Sequence, residues 1–308
     1  MEELLNNPPT PLQKLNNNFL NNSGIELFIK RLDLTHPEIS GNKWFKLKYN
    51  LLEANKNKYD TLLTFGGAYS NHIYATAAAG KLFGFKTIGV IRGEEHLPLN
   101  PTLTFAKACG MRFTYLDRTF HRDKYNTKFL SSLKAKYGDF YLIPEGGTNS
   151  LAVQGCNEIL DDINISFDYI CTASGTGGTL AGLITGLKNN QTALGFSVLK
   201  GGDFLRNEIV NLLKMLKFTN NKNWQLITNY HFGGYAKITK ELMGFISGFE
   251  NQNGIRLEPI YSGKMLFGIY DMIKKDYFPK SSKIIALHNG GLQGLEGLKQ
   301  KLNSRKIR

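Results

Sequence analysis

Cysteine is scarce: the 308 residues contain only Cys109, Cys156 and Cys171, an odd number with no C-x-x-C spacing. That argues against a disulfide framework and points to a reducing compartment. The six histidines, His36, His72, His96, His121, His231 and His288, include no pair at metal-ligand spacing, so no metal site is expected. No stretch approaches the ~20 apolar residues of a membrane helix, and Glu2 and Glu3 stand where a secretory leader carries positive charge. The expectation is a soluble, cytoplasmic protein that contacts no membrane. Nothing repeats at a fixed period, and low complexity is confined to the Asn-rich run from Asn16 to Asn22.

What is present is an ordinary globular balance of 42 % hydrophobic and 20 % charged residues, which excludes disordered and collagen-like classes. A chain of this length buries enough apolar surface to fold without staples. Lys and Arg number 38 against 25 Asp and Glu, and the resulting net charge of +13 motivates a reading as a non-catalytic binder of a phosphorylated ligand or nucleic acid. The lysines, however, are scattered among asparagines. The one dense run, Lys299, Lys301, Arg305, Lys306 and Arg308, suits a solvated helix end, so no nucleic-acid partner is expected.

From Asp60 onward short β-rich runs alternate with helical patterns, the signature of parallel βα units. Strands are predicted at Thr61–Phe65, Lys86–Ile91, Arg112–Leu116 and Phe140–Ile143, with helices at Asn71–Phe83, Pro101–Cys109 and Arg122–Tyr137. A second series places strands near Tyr169–Ala173, Ala193–Leu199, Gln225–Tyr230 and Lys283–Leu287. Its helices are predicted near Thr179–Lys188, Phe204–Lys217, Ala236–Glu250 and Lys264–Lys274. The fold class expected is α/β with two open, twisted parallel-sheet lobes. The Pro and Gly residues of Pro144–Asn149 mark a loop between them that suits a hinge. The polar segment before Ile25 is expected to pack irregularly over the surface.

Ligands of open parallel sheets bind at the carboxyl ends of strands, which directs attention to four loops. Ser174-Gly175-Thr176-Gly177-Gly178-Thr179 follows a strand and opens a helix, so its amides and hydroxyls form an anion cradle. It lacks the Gly-Lys-Ser/Thr of a Walker loop, and Leu180 stands where a dinucleotide fingerprint needs a third glycine. A lone monoester phosphate on a cofactor suits it better than ATP or NAD. Gly66-Gly-Ala-Tyr-Ser-Asn-His72 opens another helix; Ser70 and Asn71 suit capping, and with His72 they also place a hydroxyl, an amide and an imidazole at the mouth of a sheet. In Ser40-Gly-Asn-Lys-Trp-Phe-Lys46, Trp44 and Phe45 flank Lys43 and are expected to desolvate its amine, as Schiff-base chemistry requires. Pro259-Ile-Tyr-Ser-Gly-Lys264 and Leu287-His-Asn-Gly-Gly291 complete the set.

Taken in order from about Gly24 to Gly291, these motifs resemble the 1-aminocyclopropane-1-carboxylate deaminase and D-cysteine desulfhydrase family, pyridoxal-phosphate enzymes of the tryptophan synthase β-like fold (fold type II). The resemblance implies that Lys43 carries pyridoxal 5'-phosphate, that Ser70 faces the substrate as nucleophile or acid/base, and that Asn71 contacts the cofactor's ring hydroxyl. It makes Ser174, Gly175, Thr176, Gly177, Gly178 and Thr179 the phosphate loop, Tyr261 the tyrosine beside the ring and Tyr235 the second active-site tyrosine. Ser262 and Asn289 fall at cofactor-contacting positions, and Ser70, Asn71, His72 and Tyr235 at positions that bind a small amino-acid substrate. It also implies a homodimer, with residues 1–45 and 148–308 as a large cofactor-binding domain and 46–147 as a small one. Tyr69 and Tyr74 depart from the family's Gln and Arg. Deaminases of the family carry Glu and Leu where Ser262 and Asn289 stand, whereas desulfhydrases carry Ser or Thr at the first position and Thr at the second. The expected activity is therefore loss of hydrosulfide from D-cysteine, with ring-opening deamination as the alternative.

Overall fold

The computed structural model describes residues 1, 6–219 and 223–298, so the basic run from Lys299 to Arg308 lies outside the described residues. Two compact units are present, one of Asn7–Lys46 with Asn149–Leu292, the other of Leu47–Thr148 with residues 1, 6 and 293–298 from the two ends of the chain.

The larger unit begins with β1 (Leu12–Lys14), α1 (Asn18–Ser23) and β2 (Glu26–Lys30). The expectation of an irregular amino-terminal segment is thus incorrect. The asparagine run becomes a helix because Asn17 caps it, accepting from the Leu20 amide at 2.8 Å, and Gly24 ends it at φ +71°. Leu15 and Leu20 are buried in the core and anchor the segment. Helix α2 (Asn42–Lys56) starts in this unit and leads into the other.

In the smaller unit β3 (Thr61–Gly67), α3 (Asn71–Phe83), β4 (Lys86–Arg92), α4 (Pro101–Ala108), β5 (Arg112–Leu116), α5 (Thr127–Tyr137) and β6 (Tyr141–Ile143) alternate as expected. Their strands pair in the order β5-β4-β3-β6, all parallel. The α5 boundary differs from the sequence expectation: Phe120–Asp123 forms a separate 3₁₀ turn, and Asn126 caps the helix proper.

The chain then returns to the larger unit through α6 (Ser150–Asn157), β7 (Tyr169–Ser174), α7 (Gly178–Gly186), β8 (Thr192–Ser197), α8 (Leu205–Met215), β9 (Trp224–Ile227), α9 (Lys240–Asn253), α10 (Ser262–Lys274) and β10 (Lys283–Leu287). The sheet order is β1-β2-β10-β7-β8-β9, with only the β1–β2 pair antiparallel. Buried on both faces, β10 reads as a run of Ile, Ile, Ala and Leu, as a central parallel strand must. Helix α9 starts at Lys240 rather than Ala236, because Ala236 is left-handed at φ +55° and Thr239 supplies the cap.

The unit boundary between Thr148 and Asn149 falls in the Pro144–Asn149 loop. Residues 293–298, expected in the large domain, group with the smaller unit: Gln293 Nε2 donates to Asn71 Oδ1 at 3.1 Å, and the Tyr69 ring covers Gly297. No helix among the described residues is long and apolar enough to cross a membrane.

Candidate active site

Four loops of the larger unit, distant in sequence, meet at the carboxyl ends of its strands. The tightest meeting is backbone on backbone. A Cβ on Gly41 would lie 1.9 Å from the Asn289 carbonyl oxygen, and one on Gly290 would lie 2.6 Å from Ser40 Oγ. Only glycine allows that approach, and Gly41 and Gly290 are both left-handed, at φ +72° and +75°. The loop after β10 is thereby joined to the start of α2, two residues before Lys43.

Lys43 Nζ donates to Asn42 Oδ1 at 2.9 Å, while Asn42 Nδ2 donates to Thr179 Oγ1 at 2.8 Å. Burial, reinforced by the charge of Lys46, pushes the Lys43 amine down to about 7. The expected agents, Trp44 and Phe45, are buried, and Trp44 stacks on His36 at 5.6 Å. The i+3 neighbour of Lys43 shares its face of the helix. That neighbour is Lys46, itself buried and pushed down to about 8 by desolvation, with Nζ 3.2 Å from Thr176 Oγ1. Lys46 is outside the sequence expectation, although its i+3 spacing from Lys43 is legible in the sequence.

The glycine-rich loop lies between β7 and α7, as expected. Gly177 takes the cap position of α7 at φ +78°, and the first-turn amides of the helix have no partner within it. A side chain at Gly177 would run into Ile209 at 2.7 Å, so this glycine is needed for packing on α8 as well as for the turn. The Tyr261 ring covers Gly175, where a Cβ would meet its Cε1 at 3.3 Å. Tyr261 in turn has its hydroxyl 3.5 Å from that of Tyr235, with the rings edge to face at 6.0 Å.

Glu258, a residue the sequence did not single out, is 3 % exposed and sets this corner. Its carboxylate accepts from the amides of Ile260, Tyr261 and Ser262, capping α10. Burial pushes it up to about 7 against those three hydrogen bonds and a further one from the Ser262 side chain. Ser174 Oγ and Asn289 Oδ1 are buried without a hydrogen-bond partner, and the Ser262 hydroxyl is buried beside the Glu258 carboxylate. Asn289 faces that way because its Nδ2 donates to Thr172 Oγ1 at 2.9 Å.

In the smaller unit Ser70 is the cap of α3, accepting from the His72 and Ile73 amides at 3.2 and 3.3 Å. Its hydroxyl proton is left to donate elsewhere. Asn71 accepts from Gln293, another residue outside the sequence expectation. His72 is buried with Nε2 2.8 Å from Thr64 Oγ1, whose own proton goes to the Ile143 carbonyl, so Nε2 carries the hydrogen. Tyr74, one of the two departures, stacks flat on Phe105 at 3.8 Å, whereas Tyr69 is 43 % exposed.

Against known proteins, the model of the family described as "Pyridoxal-phosphate dependent enzyme" matches residues 4–290. The chain belongs to that family. A Pyrococcus furiosus protein named "Putative 1-aminocyclopropane-1-carboxylate deaminase" is 35 % identical, with 92 % of this chain and 90 % of the relative covered. A bifunctional D-cysteine desulfhydrase/1-aminocyclopropane-1-carboxylate deaminase of Arabidopsis thaliana is 33 % identical, covering 93 % of this chain and 77 % of the relative. The crystal structure of a deaminase homologue superposes with TM-score 0.85 at 32 % identity, covering 96 % of this chain and 94 % of the other. The chain is therefore a pyridoxal-phosphate enzyme of the deaminase and desulfhydrase type, with the tryptophan synthase β-like fold. Membership sets aside the non-catalytic binder suggested by the net charge.

The residues present fit the cofactor. A lysine amine held near neutrality suits its aldehyde, and the α7 amides with Lys46 suit its phosphate. A buried neutral hydroxyl, that of Ser262, is compatible with its ring nitrogen.

Proposed function

We propose that the protein eliminates hydrosulfide from D-cysteine, consuming water and yielding pyruvate, ammonia and hydrogen sulfide. The observation that carries this reading is Ser262, a buried, neutral hydroxyl directly after Tyr261. Bound pyridoxal phosphate supplies an electron sink for the α-carbon of an amino acid. A neutral hydroxyl at the ring nitrogen leaves that sink weaker than a carboxylate would. Glu258 does not take the carboxylate's place, because its oxygens are engaged by three backbone amides. Thiolate is a good leaving group and tolerates the weaker sink, whereas opening a cyclopropane ring needs the stronger one. With this reading go the roles of Lys43 as the cofactor-bearing lysine, Ser70 as the group that moves the substrate proton, Tyr261 as the tyrosine beside the cofactor ring and Tyr235 as the second active-site tyrosine.

Ring opening of 1-aminocyclopropane-1-carboxylate to 2-oxobutyrate and ammonia is the second reading, favoured by the names of the relatives. One panel separates them: sulfide and 2-oxoacid release from D-cysteine, L-cysteine, D-serine and the cyclopropane amino acid. Sulfide and pyruvate from D-cysteine with little 2-oxobutyrate is the expected result. Robust ring opening without sulfide release reverses the order.

A further inference from the structure

Tyr235 sits on a backbone that few sequences adopt. In the loop from His231 to Ala236 four residues have positive φ, Phe232 at 53°, Gly233 at 91°, Gly234 at 121° and Ala236 at 55°, and two of them are not glycine. Such strain persists only where the surroundings hold the chain in place. Within the loop, the Gly233 amide donates to His231 Nδ1 at 2.9 Å and the Gly234 amide to the His231 carbonyl at 3.0 Å. From outside it, Lys264 of α10 reaches in. Its side chain is 1 % exposed, and Nζ donates to the carbonyls of His231 at 2.9 Å and Gly234 at 2.8 Å.

A buried ammonium is costly unless its protons are placed, and here two of them are placed on backbone. Among the described residues Lys264 makes no ion pair. Burial pushes it down to about 8, and the more distant charge of Glu258 works the other way. Glu258 is engaged in the mirror arrangement, its oxygens on the amides of Ile260, Tyr261 and Ser262. Two buried charges of opposite sign thus grip two backbone segments, one carrying Tyr261 and the other carrying Tyr235. An apolar side chain of equal length would fill the same volume; what the ammonium adds is direction, because it fixes the carbonyl that immediately precedes Tyr235.

We propose that Lys264 is a positioning residue that holds the strained His231–Ala236 loop and thereby sets Tyr235 against Tyr261. The proposal rests on the reading of Tyr235 as part of the active site, and its test separates the two. In the holoenzyme, hydrogen exchange at residues 232–237 should become at least about tenfold faster in Lys264→Met while exchange in α9 and the rest of α10 stays as in the wild type. Lys264→Gln, which keeps a donor without the charge, should recover part of the protection. Under the assay that the protein proves to support, Lys264→Met and Tyr235→Phe should each lower kcat by about tenfold, and the double variant no more than the larger single loss.

Unchanged loop exchange, a general rise across α9 and α10, or losses that multiply in the double variant would each overturn the proposal. Should Lys264→Met fail to fold, the wild type and Lys264→Gln decide it, since a wild-type loop that exchanges at the rate of a free segment contradicts the clamp. Should neither amino acid be turned over, the exchange experiment stands alone and the assignment of the reaction is what fails.

Discussion

Gly41→Ala isolates the contact that joins the lysine-bearing loop to the loop after β10. The new Cβ would lie 1.9 Å from the Asn289 carbonyl oxygen, 2.3 Å from its carbon and 2.7 Å from the Gly290 nitrogen. All three are backbone atoms, which cannot swing aside as a side chain can. The left-handed φ adds about 1 kcal/mol for any residue with a Cβ. Overpacking ordinarily costs roughly 1–3 kcal/mol, and a backbone clash belongs at the upper end. Gly24 provides the matched control: its φ of +71° equals the +72° of Gly41 within a degree, yet a Cβ there meets nothing within 4 Å. Gly24→Ala should therefore pay the φ term alone. At roughly 2–4 °C per kcal/mol, thermal unfolding followed by circular dichroism should show Gly24→Ala lower by about 2–4 °C and Gly41→Ala by about 8–16 °C. Because Asn42 and Lys43 follow directly, Gly41→Ala should also lose cofactor on dialysis while Gly24→Ala retains it. Equal shifts in the two variants would refute the argument that backbone contact, not conformation, makes glycine necessary at position 41.

Borohydride reduction and peptide mapping should find the pyridoxyl group on Lys43; another lysine would displace the assignment. Since the amine titrates near 7 and reacts when neutral, capture of pyridoxal phosphate by the cofactor-free protein should speed up by roughly tenfold from about pH 6 to about pH 8, and a flat profile would contradict the depressed value. Lys46→Met should weaken cofactor retention on dialysis by about tenfold or more, because it removes the cation beside Thr176, and undiminished retention would detach Lys46 from the phosphate. Ser262→Glu with Asn289→Leu should shift the product ratio from sulfide toward 2-oxobutyrate, read as one double change because the two positions share a site; an unmoved ratio would separate ring-nitrogen chemistry from substrate choice. Light scattering should show a homodimer, and a monomer at assay concentration would remove that expectation.

By itself the sequence determined the alternation of β-rich runs and helices, because a parallel βα unit writes its strand as a short apolar run and closes its helix with glycine, as Gly84 closes α3. It also displayed the order of the loops, since a helix start that carries anion-binding amides needs glycines and hydroxyls in consecutive positions. The first 30 residues were less legible: an asparagine run looks like surface until Asn17 is seen capping a helix and Leu20 is seen buried. Only tertiary structure decided that β2 pairs with β10, more than 250 positions away, and so brought Gly41 onto Asn289. Glu258 and Lys264 belong to the same class. In sequence they are one acid before a proline and one lysine among many, and a charged residue is read as solvated by default. Their meaning comes from burial, which removes water and obliges each charge to take backbone groups as partners, the amides before α10 in one case and the carbonyls before Tyr235 in the other.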